Sequence, residues 1–187
     1  MTRRITVNVD IEKKIRAVAE DIDLDAISVF ETIAIDNQPV NKLGSLYDGG
    51  VLRDSLLSEM RDFVAAGNGV PLIELHEERL PVGKVFEAQL VQEQEKTSLH
   101  VLFYVPRGSE LERQIELGII DSVSVGVLPK KLLCSECGWD YMSEEATWDN
   151  LCNRTCENGH TIGVDGVHIV AEGLRQFREL RLQIGRA

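Results

Sequence analysis

The chain has 187 residues, of which 43% are hydrophobic and 27% charged, and its formal net charge is −11. This length suffices for one buried domain with a small insertion, and the composition is ordinary for a soluble globular protein. The charge argues against a nucleic-acid partner, because phosphate binding needs clustered Lys and Arg. No apolar run follows the N-terminus as in a secretory signal, and no stretch is long enough to span a membrane. These features predict a protein of the cytosol, or of a particle assembled there.

The N-terminal half is predicted to alternate strands and helices. A strand over Ile5 to Val9 precedes a helix for which Asp10 is the predicted N-cap. High β-branched content from Ala26 to Ile35 predicts the next strand. A second helix follows Gly49-Gly50 and ends near Gly67, and its apolar stripe comprises Leu52, Leu56, Met60 and Phe63.

Most of the remaining elements are predicted to be strands. Ser109 followed by Glu112 is a capping-box signature for one helix that ends at Gly118. Many short strands with few helices predict an α+β fold, an antiparallel β-barrel with peripheral helices. The strands are predicted at Val70 to Leu75, Val82 to Val91, Leu99 to Val105, Ile119 to Leu128, Val167 to Ala171 and Phe177 to Ile184.

All four cysteines are concentrated in one segment that is poor in aliphatic residues. Cys134 and Cys137 form a C-x-x-C-G knuckle, and Cys152 and Cys156 supply a second pair. Zinc takes four N or S ligands in a tetrahedron, so this pattern predicts a structural Zn²⁺ site with these four cysteines. His160 follows four residues after Cys156 and is an alternative to either cysteine of the second pair.

This cysteine-rich segment also suggests the domain organisation. Residues 131–163 are predicted to form an inserted, zinc-ribbon-like module, because the composition changes abruptly after Pro129. Residues 1–130 and 164–187 would then make up the barrel domain. A segment with so few aliphatic side chains needs a metal to hold its fold.

Two further motifs carry a resemblance to a known family. Pro71-Leu-Ile-Glu-Leu-His76, followed by Leu80-Pro-Val-Gly-Lys-Val85, resembles the histidine motif of the tailed-phage prohead proteases. The run Glu116-Leu-Gly-Ile-Ile-Asp-Ser-Val-Ser-Val-Gly-Val127 resembles the serine motif of the same family. The likeness extends over about residues 26 to 130.

The resemblance implies a serine endopeptidase, related in fold to the herpesvirus assemblins, that cleaves scaffold and capsid-protein segments during phage head maturation. Its nucleophile matches Ser124 and its base matches His76. A serine hydroxyl requires such an imidazole to accept its proton. Ser122 is a competing candidate on the same strand face, while Gly126 favours Ser124 because it leaves the backbone open to the reacting carbonyl.

The third catalytic group remains a choice among Glu179, His168, His100 and Asp121. Glu179 matches a late family segment, although Arg181 stands where the family usually has a serine. His168 and His100 stay in consideration because the assemblins use a second histidine. Both lie in predicted strands, where a hydrogen-bonded structural histidine is the commoner outcome.

The implied partners are capsid and scaffold proteins, inside or on a phage particle assembling in the host cytoplasm. The sequence leaves open whether the chain forms a homo-oligomer or a shell-bound assembly. One alternative function is a protease-fold protein that acts as a cement, minor capsid or scaffold component. Another is a zinc-ribbon adaptor supported by the barrel.

Overall fold

The computed structural model describes residues 2–41, 45–74 and 80–183. Within these residues the chain contains eight strands and four α-helices, which confirms the α+β class. In chain order the elements are β1 (Arg3–Ile5), α1 (Val9–Val18), β2 (Ile27–Asp36), β3 (Val51–Leu52), α2 (Asp54–Ala65), β4 (Val70–Glu74), β5 (Gly83–Glu93), β6 (Lys96–Pro106), α3 (Glu110–Glu116), β7 (Ser122–Cys134), α4 (Trp148–Asn153) and β8 (Ile169–Gln183).

The strands form one mostly antiparallel sheet in the order β1-β2-β6-β5-β4-β8-β3, and β7 also pairs with β8. Strands β3 and β4 run parallel to β8, and all the other pairs are antiparallel. Strand β7 comes close to β2, so the sheet curls towards itself. Among the described residues no pairing joins these two strands, and the sheet is not closed. The predicted barrel is therefore not confirmed.

Strand β8 is longer than the sequence pattern indicates. Residues 169–171 and 177–183 of the two predicted strands are parts of one strand that pairs with β7 along its length. The ladder has register shifts after Gly126 and after Leu128, and Gly173 has a positive φ of 67°. Such β-bulges bend a strand without ending it. The Glu59 carboxylate of α2 accepts a hydrogen bond from the Leu174 N–H at 2.7 Å, which holds this bend against the helix.

The hydrophobic core lies between the sheet and its helices. Helix α2 packs on the sheet through side chains spaced at helical periodicity, as predicted from its apolar stripe, although Leu52 belongs to β3 rather than to the helix. Helix α1 begins two residues earlier than predicted, because the Asn8 side chain and not that of Asp10 is the N-cap, and it accepts the Ile11 N–H at 2.9 Å. The side chains that α2 buries are Leu56, Leu57, Met60 and Val64.

Helix α1 covers a second cluster of buried residues. Ile11 and Ile15 on one face of the helix pack with Ile27, Val29 and Phe86 of the sheet. Each such side chain contributes roughly 1.5–3 kcal/mol when it is removed from water. No helix within the described ranges has the length and apolarity to cross a membrane.

Candidate metal centre and serine face

The first cysteine pair lies at the end of β7. Cys134 is the last residue of the strand, and its carbonyl accepts the Gly138 N–H at 2.9 Å. A β-bridge between Leu133 and Asp140 closes this turn. Gly138 has a positive φ of 71°, a conformation that other residues adopt only at a cost. The glycine of the C-x-x-C-G motif therefore lets both thiols of the knuckle face the same space.

The second ligand pair is built in a similar way, around Cys156 and His160. A β-bridge joins Thr155 to Thr161, and the Cys156 N–H donates to the His160 carbonyl at 3.0 Å. Gly159, with a φ of 84°, donates its N–H to the Cys156 carbonyl at 2.9 Å. Two hairpin turns thus present two ligand atoms each.

Four ligand atoms converge between these turns. The Cys137 and Cys156 Sγ atoms are 3.7 Å apart, and His160 Nδ1 lies 3.5 Å from Cys156 Sγ and 3.8 Å from Cys134 Sγ. All four atoms lie within 4.8 Å of one another. Zinc bonds of about 2.3 Å to sulfur and about 2.0–2.1 Å to nitrogen place tetrahedral ligand atoms about 3.5–3.8 Å apart. The group therefore has the dimensions to bind a metal ion.

The fourth member of the group is His160 and not Cys152. Cys152 lies in α4, is exposed, and is not part of the cluster. The capping box of Thr147 and Asn150 starts α4, with Asn150 Oδ1 accepting the Thr147 N–H at 2.9 Å. This helix leaves Cys152 exposed, so the group that could hold a metal ion contains three cysteines and His160, the alternative that the spacing left open, rather than the four predicted cysteines.

The surroundings of the thiols favour a thiolate at Cys137. Burial acts to raise its pKa, but hydrogen bonds from the Asn158 side chain, the Trp139 N–H and His160 outweigh burial and lower the pKa to about 6. Burial raises the pKa of the Cys134 thiol. Metals bind the thiolate, so Cys137 is available as a ligand at neutral pH, and Cys134 would lose its proton as a metal binds.

Aromatic rings connect this site to the main core. Trp139 and Tyr141 form an edge-to-face pair with ring centroids 4.9 Å apart. Burial, followed by the nearby cysteines, raises the pKa of Tyr141 to about 12, so the phenol stays neutral. Tyr141, Ile162 and Val167 belong to the same buried cluster as the sheet residues. The cysteine-rich segment thus packs on the rest of the chain as well as around its own ligands.

A polar face lies at the other end of the β7–β8 ladder. Ser124 is opposite Arg181, and Gly126 is opposite Glu179. Ser122, two residues before Ser124, shares this face, and its hydroxyl donates to the Gln183 carbonyl at 3.3 Å. The two candidate serines therefore differ, because Ser122 already has a backbone partner.

The Glu179 side chain lies across Gly126. Its Oε1 atom is 2.7 Å from Arg181 Nη2, and only 12% of the side chain is exposed. A Cβ atom at position 126 would overlap this carboxylate. Gly126 therefore makes room for Glu179, which its position near Ser124 in the sequence does not indicate. The structure thus brings Ser124 and Glu179 to neighbouring positions on adjacent strands.

The candidate histidines have different positions. His76 lies outside the described residues. His100 lies on β6 with Nδ1 3.5 Å from Glu31 Oε1, and His168 lies at the metal end of the ladder, with Nδ1 2.9 Å from the Gly166 carbonyl. The described contacts of these two histidines do not include Ser124.

Comparisons of the chain with protein-family models, curated proteins and solved structures gave no match. Function is therefore inferred from the residues described above.

Proposed function

We propose that the protein is a serine endopeptidase of the prohead-protease kind, with Ser124 as its nucleophile and a zinc ion holding the cysteine-rich segment. The observation that carries this proposal is the register across three strands. Ser124 of β7 is opposite Arg181 of β8, which is opposite Ile73 of β4. Neighbouring strands lie about 4.8 Å apart, so the strand leading to His76 runs about 10 Å from the serine strand.

The proposed chemistry assigns one role to each residue. His76 takes the proton of the Ser124 hydroxyl as the oxygen attacks a peptide carbonyl, and then returns it to the leaving amine. Glu179, on the same face as Ser124, accepts a hydrogen bond from the imidazole and holds its tautomer. Because Arg181 already pairs with Glu179, the carboxylate has to serve both partners. The substrates are scaffold and capsid-protein segments.

The same ion pair favours a second candidate function. If the Glu179 carboxylate pairs only with Arg181, it does not orient the imidazole of His76, and Ser124 is not activated. The fold would then serve as a cement, minor capsid or scaffold component. The two functions make opposite predictions about the reactivity of the serine.

The group of Cys134, Cys137, Cys156 and His160 binds Zn²⁺ in a structural role. Four protein ligands complete a tetrahedron and leave no position for water or substrate. Metal analysis of the purified chain by native mass spectrometry is expected to give one zinc per chain. A chain that folds fully and carries no metal would refute this role.

A fluorophosphonate probe, which labels activated serines, tests the serine assignment without a known substrate. We expect labelling of the wild-type chain and of Ser122→Ala, and none of Ser124→Ala or His76→Ala. If labelling were lost in Ser122→Ala and kept in Ser124→Ala, the nucleophile would be Ser122 and not Ser124. An unlabelled wild-type chain that also fails to cleave candidate shell proteins would favour the structural function.

A further inference from the structure

An exposed surface of the cysteine-rich segment combines one aromatic side chain with three carboxylates. We call it the Trp148 surface, and it consists of Glu144, Glu145, Trp148 and Asp149, all of which are exposed. Trp148 is 77% exposed although it is one of the largest apolar side chains in the chain. Single exposed apolar residues are common on protein surfaces, so its neighbours decide what it signifies.

Those neighbours make the surface strongly acidic. The segment 134–168 contains seven carboxylates and one arginine, a net charge of −6 out of −11 for the whole chain. The structure uses Asp140 internally, since its carboxylate accepts the N–H groups of Leu132 and Met142. Glu144, Glu145 and Asp149, by contrast, form no ion pair with any part of the chain that the structure describes.

The backbone holds the surface in place. Trp148 is the first residue of α4, directly after the Thr147 cap, and Leu151 of the same helix packs against the main core. The metal ligand Cys156 follows three residues after the helix ends. The helix is therefore anchored on its inner side, while Trp148 contributes little to the packing of the fold.

We propose that the Trp148 surface binds an arginine-bearing basic segment of a partner protein. A guanidinium group stacks on an indole ring and at the same time donates two hydrogen bonds to a carboxylate, which a lysine ammonium cannot reproduce. Glu145 and Asp149 supply carboxylates on either side of Trp148 in the chain. An arginine thereby compensates the unpaired negative charge and covers the exposed ring.

The surface is separate from the serine face. Ser124 and Cys134 are ten residues apart on β7, a span of up to about 33 Å in an extended strand. The Trp148 surface belongs to the segment beyond Cys134, so it recruits a partner without entering the serine site. The proposal does not require Ser124 to be catalytic, and the binding test below uses no enzymatic readout.

The test measures binding of a short fluorescent peptide, in which Arg alternates with Ser, to the full zinc-loaded chain by fluorescence anisotropy. We expect Trp148→Ala to weaken binding about five- to tenfold, which lies between the values for exposed and for desolvated cation–π contacts. Glu144→Gln with Glu145→Gln is expected to weaken it as well, and a Lys-for-Arg peptide to bind more weakly. The matched control, Glu93→Gln with Glu95→Gln, removes equal charge from the exposed β5–β6 turn and is expected to leave binding unchanged. Unchanged zinc content verifies that each variant is folded.

Three results would overturn the proposal. The first is equal affinity of Trp148→Ala and the wild-type chain. The second is an equal loss in the control variant, which would show that only the overall charge matters. The third is equal affinity for the Arg and Lys peptides together with full displacement by spermine, which would assign the surface to small polycations.

Discussion

Replacing His160 by Ala tests the metal centre most directly, because the chain supplies its own control. His160 and Cys152 both lie four residues from Cys156, one on each side, and either spacing is compatible with a zinc ligand. Only His160 has a ligand atom within the cluster. His160→Ala therefore removes a ligand, whereas Cys152→Ser changes an exposed side chain of α4.

The expected magnitude follows from the ligand count. Structural zinc sites of small domains bind with about 10–16 kcal/mol, so one ligand of four accounts for roughly 3 kcal/mol. A water molecule that enters the vacated position recovers part of this. We therefore expect a loss of about 2–3 kcal/mol, which is about a 30- to 150-fold weaker affinity for zinc.

Competition with a chromophoric chelator measures the affinity directly. The thermal unfolding midpoint gives a second readout, since a metal that binds only the folded chain stabilises it. His160→Ala is expected to lower both values. Cys152→Ser is expected to match the wild-type chain in both. Cobalt substitution adds a spectroscopic check, because three thiolates give their charge-transfer absorption in the wild type and in both variants.

One outcome would refute the ligand assignment. This outcome is the reverse of the expected pattern: Cys152→Ser weakens zinc binding about 30- to 150-fold and His160→Ala binds zinc normally. The ligand set would then be the four cysteines. The cobalt charge-transfer intensity would then fall in Cys152→Ser, since a thiolate would be missing.

Three further predictions concern stability. Gly126→Ala is expected to displace the Glu179 carboxylate from Arg181 and to cost up to about 1 kcal/mol in chemical denaturation. In a double-mutant cycle, Glu179→Ala should remove most of this cost, and additive effects would contradict the overlap. The hydrogen bond from the Ser28 hydroxyl lowers the pKa of Glu112, against the opposing effect of burial. The ionised Glu112 carboxylate therefore stabilises the folded chain above the unfolded-state pKa of about 4.3. This stabilisation is lost as the pH falls through the lower folded-state pKa. Glu112→Gln should therefore be less stable than wild type at neutral pH, with a difference that shrinks in acid, and a difference independent of pH would show that ionisation plays no part. Leu56→Ala, at a fully buried position of α2, is expected to cost about 2–5 kcal/mol in urea unfolding; a smaller loss would show that α2 packs loosely.

Local patterns predicted the elements whose signals are local. Ser109 caps α3 as its capping-box pattern indicates, and the side chain accepts the Glu112 N–H. The apolar spacing predicted α2 for the same reason, since the side chains of one helical face must be buried together. Strands β5 and β6 also correspond to the strands predicted at Val82 to Val91 and Leu99 to Val105. In each case neighbouring residues alone determine the element.

The remainder depended on contacts between distant residues. Nothing near β8 in the sequence reveals that β4 pairs parallel to it, or that a bulge rather than a loop separates its halves. Spacing alone could not decide whether Cys152 or His160 is the fourth ligand, because each lies four residues from Cys156. One local signal was overlooked, because Thr147 and Asn150 form a capping box that places Cys152 in a helix. Gly159, before His160, is the matching turn signal for the second knuckle.

Strand β7 connects the two features for which we propose functions, and its irregularities explain why they can act independently. Two register shifts lie between Gly126 and Pro129, after the serine face and before the metal ligands. At this bend the Glu59 carboxylate of α2 accepts a hydrogen bond from the Leu174 N–H and forms an ion pair with Lys130 Nζ at 3.3 Å. Because β-bulges disrupt a ladder locally, we expect a change at one end of β7 to have little effect at the other. On our proposal, the metal would therefore stabilise its own segment and the Trp148 surface, while the serine face depends on its pairing with β8.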